Sequence, residues 1–308
     1  CSGILQLLFN AADIIVVGRF VGSDAMAALG STSSLINLLV NFFIGISVGA
    51  NVLVARFCGG GDVKDARETV QTALLTGLFG GCILVALGIA ASRPMLTLMA
   101  TPAEVLDQAT LYMRLYFIGM PATMLYNFGA AILRAVGDTR RPLYFLLFSG
   151  IFNVGCDLLF VIVFHWGVAG AAEATVISQY VSGIGIALYT GVRFPQLFKR
   201  EPGVRLRWPR VREIAGFSSL TCLQQSIMNL GILAVQGRVN SFGTTVMAAF
   251  AAGVKIDAFA YLPVQDFGNA FSIFISQNYG ARRPDRIREG IRVAAAVSVS
   301  SGIVSSLA

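Results

Sequence analysis

The stretch FNVGCDLLFVIVF, residues 152–164, decides the fold. It is almost wholly apolar and continues an apolar run, so it reads as the second half of a membrane helix. Yet it contains Asn153 and Asp157, four residues apart and therefore on one helical face. A carboxylate near the centre of a membrane helix costs about 2.5–3.5 kcal/mol on insertion scales. Such a residue needs a partner or a task.

The 308 residues are 56% hydrophobic and 13% charged. Soluble domains carry about 25% charged residues, so a water-soluble fold is a poor match. The apolar surplus is spread along the whole chain in segments long enough to span, each of about 20 residues. Nine are predicted, at 1–20, 31–55, 70–92, 107–133, 142–164, 168–192, 211–238, 245–279 and 289–308. The expected fold class is an all-α, polytopic integral membrane protein. The first and last segments read as incomplete, and the chain as a piece of a longer protein. Pro121 and Pro263 fall inside spans and predict kinks.

Lys and Arg set the expected orientation. Arg56, Lys64 and Arg67 share one set of loops with Arg134, Arg140 and Arg141. The connection after span six and the loop at 282–292 extend that set, which then holds 18 of the 23 cations. Only Arg19, Arg93, Arg114 and Arg238 fall on the other side, and Lys255 lies within a span. The basic set is expected in the cytoplasm of a cell whose plasma membrane holds the protein. The net charge of +7 belongs to these loops and does not point to nucleic acid. One His excludes a His-based metal site. Five cysteines show no paired spacing, no catalytic cluster is visible, and no cofactor is expected. An enzyme is therefore disfavoured.

The basic, proline-rich connection RFPQLFKREPGVRLRWPRVRE divides the chain. It predicts a first lobe over 1–192, a cytoplasmic linker over 193–210 and a partial second lobe over 211–308. An internal repeat supports the division. GSDAMAALG (22–30) resembles GTTVMAAFA (243–251), and CGGGDVKDARE (58–68) resembles YGARRPDRIRE (279–289), both at an offset of 221 residues. The offset covers an even number of spans, so the lobes are expected to be related by a pseudo-two-fold axis along the membrane normal. Secondary transporters often carry parallel repeats of this kind.

Depth groups the intramembrane polar residues. Asp13 and Asp157 each lie about seven residues from the outer end of their spans, and Thr175 about seven residues after the outer start of its span. Asn153 is one turn deeper. Two carboxylates, an amide and a hydroxyl thus share a level roughly 10 Å below the surface. Two facing carboxylates out of water need a proton or a cation between them, and oxygen ligands suit a hard cation such as sodium. This set is the candidate cation site, with H+ or Na+ as coupling ion. Tyr126, Asn127, Gln179, Gln224, Gln225, Asn229, Lys255 and Asp257 are candidates for a substrate cavity, with helix packing as the competing role.

The chain resembles the multidrug and toxic compound extrusion (MATE) family over essentially its whole length. ADIIVVGRFVG (12–22), LVARFCGGGD (53–62), ILRAVGDTRRP (132–142), GVAGAAEATVISQ (167–179) and SQNYGARRPDRIREG (276–290) carry the resemblance in order and spacing. It implies twelve helices in two lobes around a cavity open alternately to each side, and a cargo of amphipathic, often cationic, organic compounds exported in exchange for H+ or Na+. It implies a cation role for Asp13, Asn153, Asp157 and Thr175. AGFSSLTCLQQS (215–226) lacks the proline common there in the family, and span seven has no central acid, which favours the first-lobe site. A monomer in the lipid bilayer is expected. The alternative is a flippase of lipid-linked oligosaccharides, which should line its cavity with several cations; the spans offer Lys255 alone.

Overall fold

The computed structural model describes residues 2–98, 101, 103–198, 207–240 and 264–307, and all regular structure among them is helical. The elements are α1 (Ser2–Phe20), α2 (Ser23–Gly60), α3 (Val63–Leu98), α4 (Ala103–Ile118), α5 (Met120–Ala135) and α6 (Arg140–Asp157), which continues as a π-helix over Leu158–Val163. Then follow α7 (Gly167–Arg193), α8 (Pro195–Phe198), α9 (Trp208–Asn240), α10 (264–280) and α11 (Pro284–Leu307). Eight of the predicted spans fall on these helices, and so does the 264–279 part of the span at 245–279. Residues 245–263, with Lys255, Asp257 and Pro263, lie outside the described residues.

By length and composition, α3 and the α6–π run can each cross a membrane, and α4 with α5 forms a further apolar pair bent by 45°. The kink expected at Pro121 is this bend. The break falls at Gly119, and Pro121 sits in the first turn of α5, where the missing N–H leaves no intrahelical bond unmade.

The helices are inside-out relative to those of a soluble protein. On α6 the buried face is Ser149, Gly150, Asn153 and Asp157, while Phe148 and Ile151 are exposed. On α3, Gly77, Gly81 and Gly88 are buried, and Phe79, Ile83 and Leu87 are exposed. Lipid is as apolar as Leu, so helices associate through close packing and hydrogen bonds, and small residues let them approach. A methyl at Gly77 or Gly88 would strike the ring of Phe128 or Phe117, and one at Gly81 would strike Pro121. Hydroxyls tie neighbouring helices: Ser149 donates to the Ser178 carbonyl at 2.8 Å, joining α6 to α7. The chain is an all-α polytopic membrane protein.

At the end carrying the basic loops, α9 packs along α2. Ser218 donates to the Ile46 carbonyl at 2.9 Å, and Gly45 and Gly49 face Cys222 and Ser218. Ion pairs fasten the start of α9 to the start of α3. Arg210 contacts Asp65 at 2.5 Å and Glu68 at 4.0 Å, and Arg207 contacts Glu68 at 3.3 Å.

Candidate functional site

Asp157 is the last residue of α6, at the passage into the π-helix. A π-turn carries a wider hydrogen-bonded ring and commonly marks a functional position. Asp157 is 0% exposed and Asn153, one turn earlier on the same face, is 7% exposed. Asp13, half-buried on α1, brings its carboxyl within hydrogen-bonding reach of the Asp157 carboxyl. The small face of α6 allows this approach: a methyl at Gly150 would strike the Phe9 ring of α1.

The meeting is between acceptors. An ionised carboxylate has no proton to donate, and Asp13 Oδ1 and both Asp157 oxygens are enclosed without a hydrogen-bond donor. Asn153 Nδ2 is enclosed and unpaired as well. Thr175, half-buried on α7, donates to the Ala171 carbonyl of its own helix at 2.9 Å, which leaves its lone pairs available. Val16, Val17, Val161, Val168, Ala171 and Ala172 form an apolar cluster from the same helices. Buried polar groups in such surroundings are costly when unpaired.

Two residues of the site were not among the sequence candidates. Tyr112 and Tyr116 lie on α4, one turn apart, with ring centroids 6.3 Å apart. Asp13 acts electrostatically on both, and Asp157 on Tyr112. The Tyr116 hydroxyl is also a hydrogen-bond neighbour of Gln179. Gln179, expected at a substrate cavity, thus reaches the rim of the acid pair. Its Oε1 is buried without a partner and rests on Gly119, where a methyl would collide with it.

The other cavity candidates are scattered. Tyr126 donates its hydroxyl to the Pro142 carbonyl at 2.9 Å. Asn127 is half-buried on α5, Gln224 is exposed and Gln225 half-buried on α9. The side chain of Asn229, and Lys255 and Asp257 altogether, lie outside the described residues.

The donor set fits a proton or a small monovalent cation. It offers two carboxylates that meet without a donor, and hard cations take oxygen ligands. Among the described residues no group of three or more His, Cys, Asp or Glu is placed to hold a metal ion.

The family model MatE matches residues 1–159 and 220–308, well over half the chain. The chain belongs to the MatE family. Asp13, Asn153 and Asp157 lie in the first matched part of this MatE protein, and Thr175 lies between the two parts. It is 31% identical over 288 residues to the probable multidrug resistance protein YpnP of Bacillus subtilis, covering 92% of this chain and 63% of that relative. It is 26% identical over 300 residues to the FAD transporter of Shewanella oneidensis, covering 94% of this chain and 65% of that one. A crystal structure of MATE in the bent conformation superposes with a TM-score of 0.88 at 21% identity, covering 98% of this chain and 68% of the other. The MatE protein described here therefore spans just under two thirds of the length of these curated relatives.

Proposed function

We propose that this MatE chain is part of a secondary active multidrug exporter, which moves amphipathic organic cations outward in exchange for H+ or Na+. The observation that supports it most is the enclosed, acceptor-only meeting of Asp13 and Asp157. Such a pair exchanges its charge state readily. With a cation or proton between them the carboxylates attract a common partner; without one they repel across a medium of low dielectric. Asp13 and Asp157 sit on different helices, so the ion determines how α1 packs against α6. Loading the site draws α1 inward, shrinks the cavity of the first lobe and releases cargo outward. Asn153 and Thr175 supply further oxygens, and Tyr116 with Gln179 steadies the rim. In this proposal the protein lies in the plasma membrane as a monomer, with its basic loops in the cytoplasm.

The test uses the full-length protein in cells stripped of their own exporters, with an amphipathic cationic dye as cargo. Asp13→Asn and Asp157→Asn should each lower dye export at least tenfold while the protein stays in the membrane. Export at the unaltered rate would overturn the proposal.

A further inference from the structure

The internal repeat appears in the backbone. Gly61 and Arg282, 221 residues apart, both take the left-handed conformation, with φ of 75° and 54°. The hydrogen bonds around them match pair by pair. Gly61 N–H donates to Cys58 O at 3.3 Å, and Arg282 N–H to Tyr279 O at 3.1 Å. Asp62 N–H donates to Phe57 O at 3.0 Å, and Arg283 N–H to Asn278 O at 2.9 Å. Ala66 N–H donates to Asp62 O at 3.0 Å, and Ile287 N–H to Arg283 O at 3.3 Å. Each turn ends one long helix, α2 or α10, and starts the next.

These two helix ends cross each other, and the crossing has the same symmetry. A methyl at Gly59 would fall 2.7 Å from the Gln277 Cα and strike its carbonyl oxygen. A methyl at Gly280 would fall 2.9 Å from the Arg56 carbonyl carbon and strike its oxygen. Gly280 is the repeat mate of Gly59, and Gln277 is the repeat mate of Arg56. Each glycine therefore rests on the residue equivalent to the one its mate rests on, as in an isologous contact across a two-fold axis. Flanking contacts fasten the crossing: the Arg56 guanidinium lies 5.3 Å from the Tyr279 ring centroid, and Gln277 Nε2 donates to the Ala135 carbonyl at 2.8 Å.

In the same half of the molecule, Gly45 and Gly49 of α2 meet Cys222, Ser218 and Ile214 of α9. Beyond Cys222, Leu223, Gln224, Ile227 and Val235 are exposed, while Gln225 and Met228 are half-buried. The two repeats are thus pressed together at the basic-loop end.

We propose that the Gly59–Gly280 crossing is the closed gate at the basic-loop end, and that it must part for cargo to enter. It rests on the transporter proposal above. Glycine is needed because backbone meets backbone: any side chain holds α2 and α10 apart. The contact is shared by mated residues, so both repeats release it in one movement, and damage to either glycine has the same consequence.

The test uses the full-length protein with its native cysteines replaced. In an Arg56→Cys/Tyr279→Cys pair, a short bis-methanethiosulfonate reagent should bridge the two thiols and lower dye export at least tenfold, and reduction should restore it. Gly59→Leu and Gly280→Leu should each wedge the gate and lower export by a similar factor. Gly216→Ala, at a position with nothing within 4 Å, should leave export unchanged. Failure of the pair to crosslink, or unaltered export from the crosslinked protein, overturns the gate. If the parent protein exports no dye under any ion gradient, the transporter proposal fails instead, while crosslinking still reports the crossing.

Discussion

Asp157→Asn keeps the side-chain shape and removes one of two facing charges. In the proposed site a cation would meet two carboxylates that have no donor between them. Unit charges about 4 Å apart at an effective dielectric near 20 interact by about 4 kcal/mol. The repulsion between the carboxylates is present with and without the ion at high pH, so it cancels from binding. What the substitution removes is one ion–carboxylate attraction, about 4 kcal/mol, or roughly three decades of affinity at about 1.4 kcal/mol per decade. The assay is the melting temperature of the purified full-length protein at pH 8, titrated with sodium at constant ionic strength, then repeated across pH without sodium. An ion that binds only the folded state stabilises it by about 2.7 kcal/mol at a hundredfold excess over its Kd. The unaltered protein should gain stability with the coupling ion, and Asp157→Asn should show no response over the same range. A variant whose midpoint lies within threefold of the parent would refute the electrostatic reasoning.

Gly119→Ala places a methyl against Gln179 Oε1; it should destabilise the fold by about 1–3 kcal/mol, read as a lower melting temperature. Adding Gln179→Ala should recover most of that loss. Tyr116→Phe deletes the hydroxyl beside Gln179, and should shift the cation midpoint by no more than about 1 kcal/mol, well short of the effect at Asp157. Arg210→Ala breaks contacts with Asp65 and Glu68, and Arg210 is only 16% exposed. Its stability loss should be about 1–2 kcal/mol, between that of surface and buried pairs, and a double-mutant cycle with Asp65→Ala should show coupling.

Much of this was legible in the residues. Hydropathy located the spans because lipid imposes a length and an apolar composition on each helix. Depth alone grouped Asp13 with Asp157, since a charged group within a span must find company. Tyr112 and Tyr116 escaped because a tyrosine in a span pays no comparable penalty and looks like packing. Their spacing of one turn, and a depth like that of the acids, were the available signals. Gln179 reads from the sequence as a cavity residue; its approach to Gly119 and Tyr116 depends on how α7 packs against α4. The π-helix after Asp157 left no sequence signal, because LLFVIV serves an α-helix equally well. The repeat was visible as Gly59 and Gly280, but not that the mated glycines lie against mated residues. That contact joins segments 221 residues apart and depends on how the helices are arranged.

Ion-coupled export is the central claim, and transport by the purified full-length protein in sealed vesicles tests it most directly. Dye movement is followed while the proton gradient and the sodium gradient are collapsed one at a time. Collapsing one of them should stop uphill export, and Asp157→Asn should abolish the response to that gradient. Uphill export that continues with both gradients collapsed would contradict that claim.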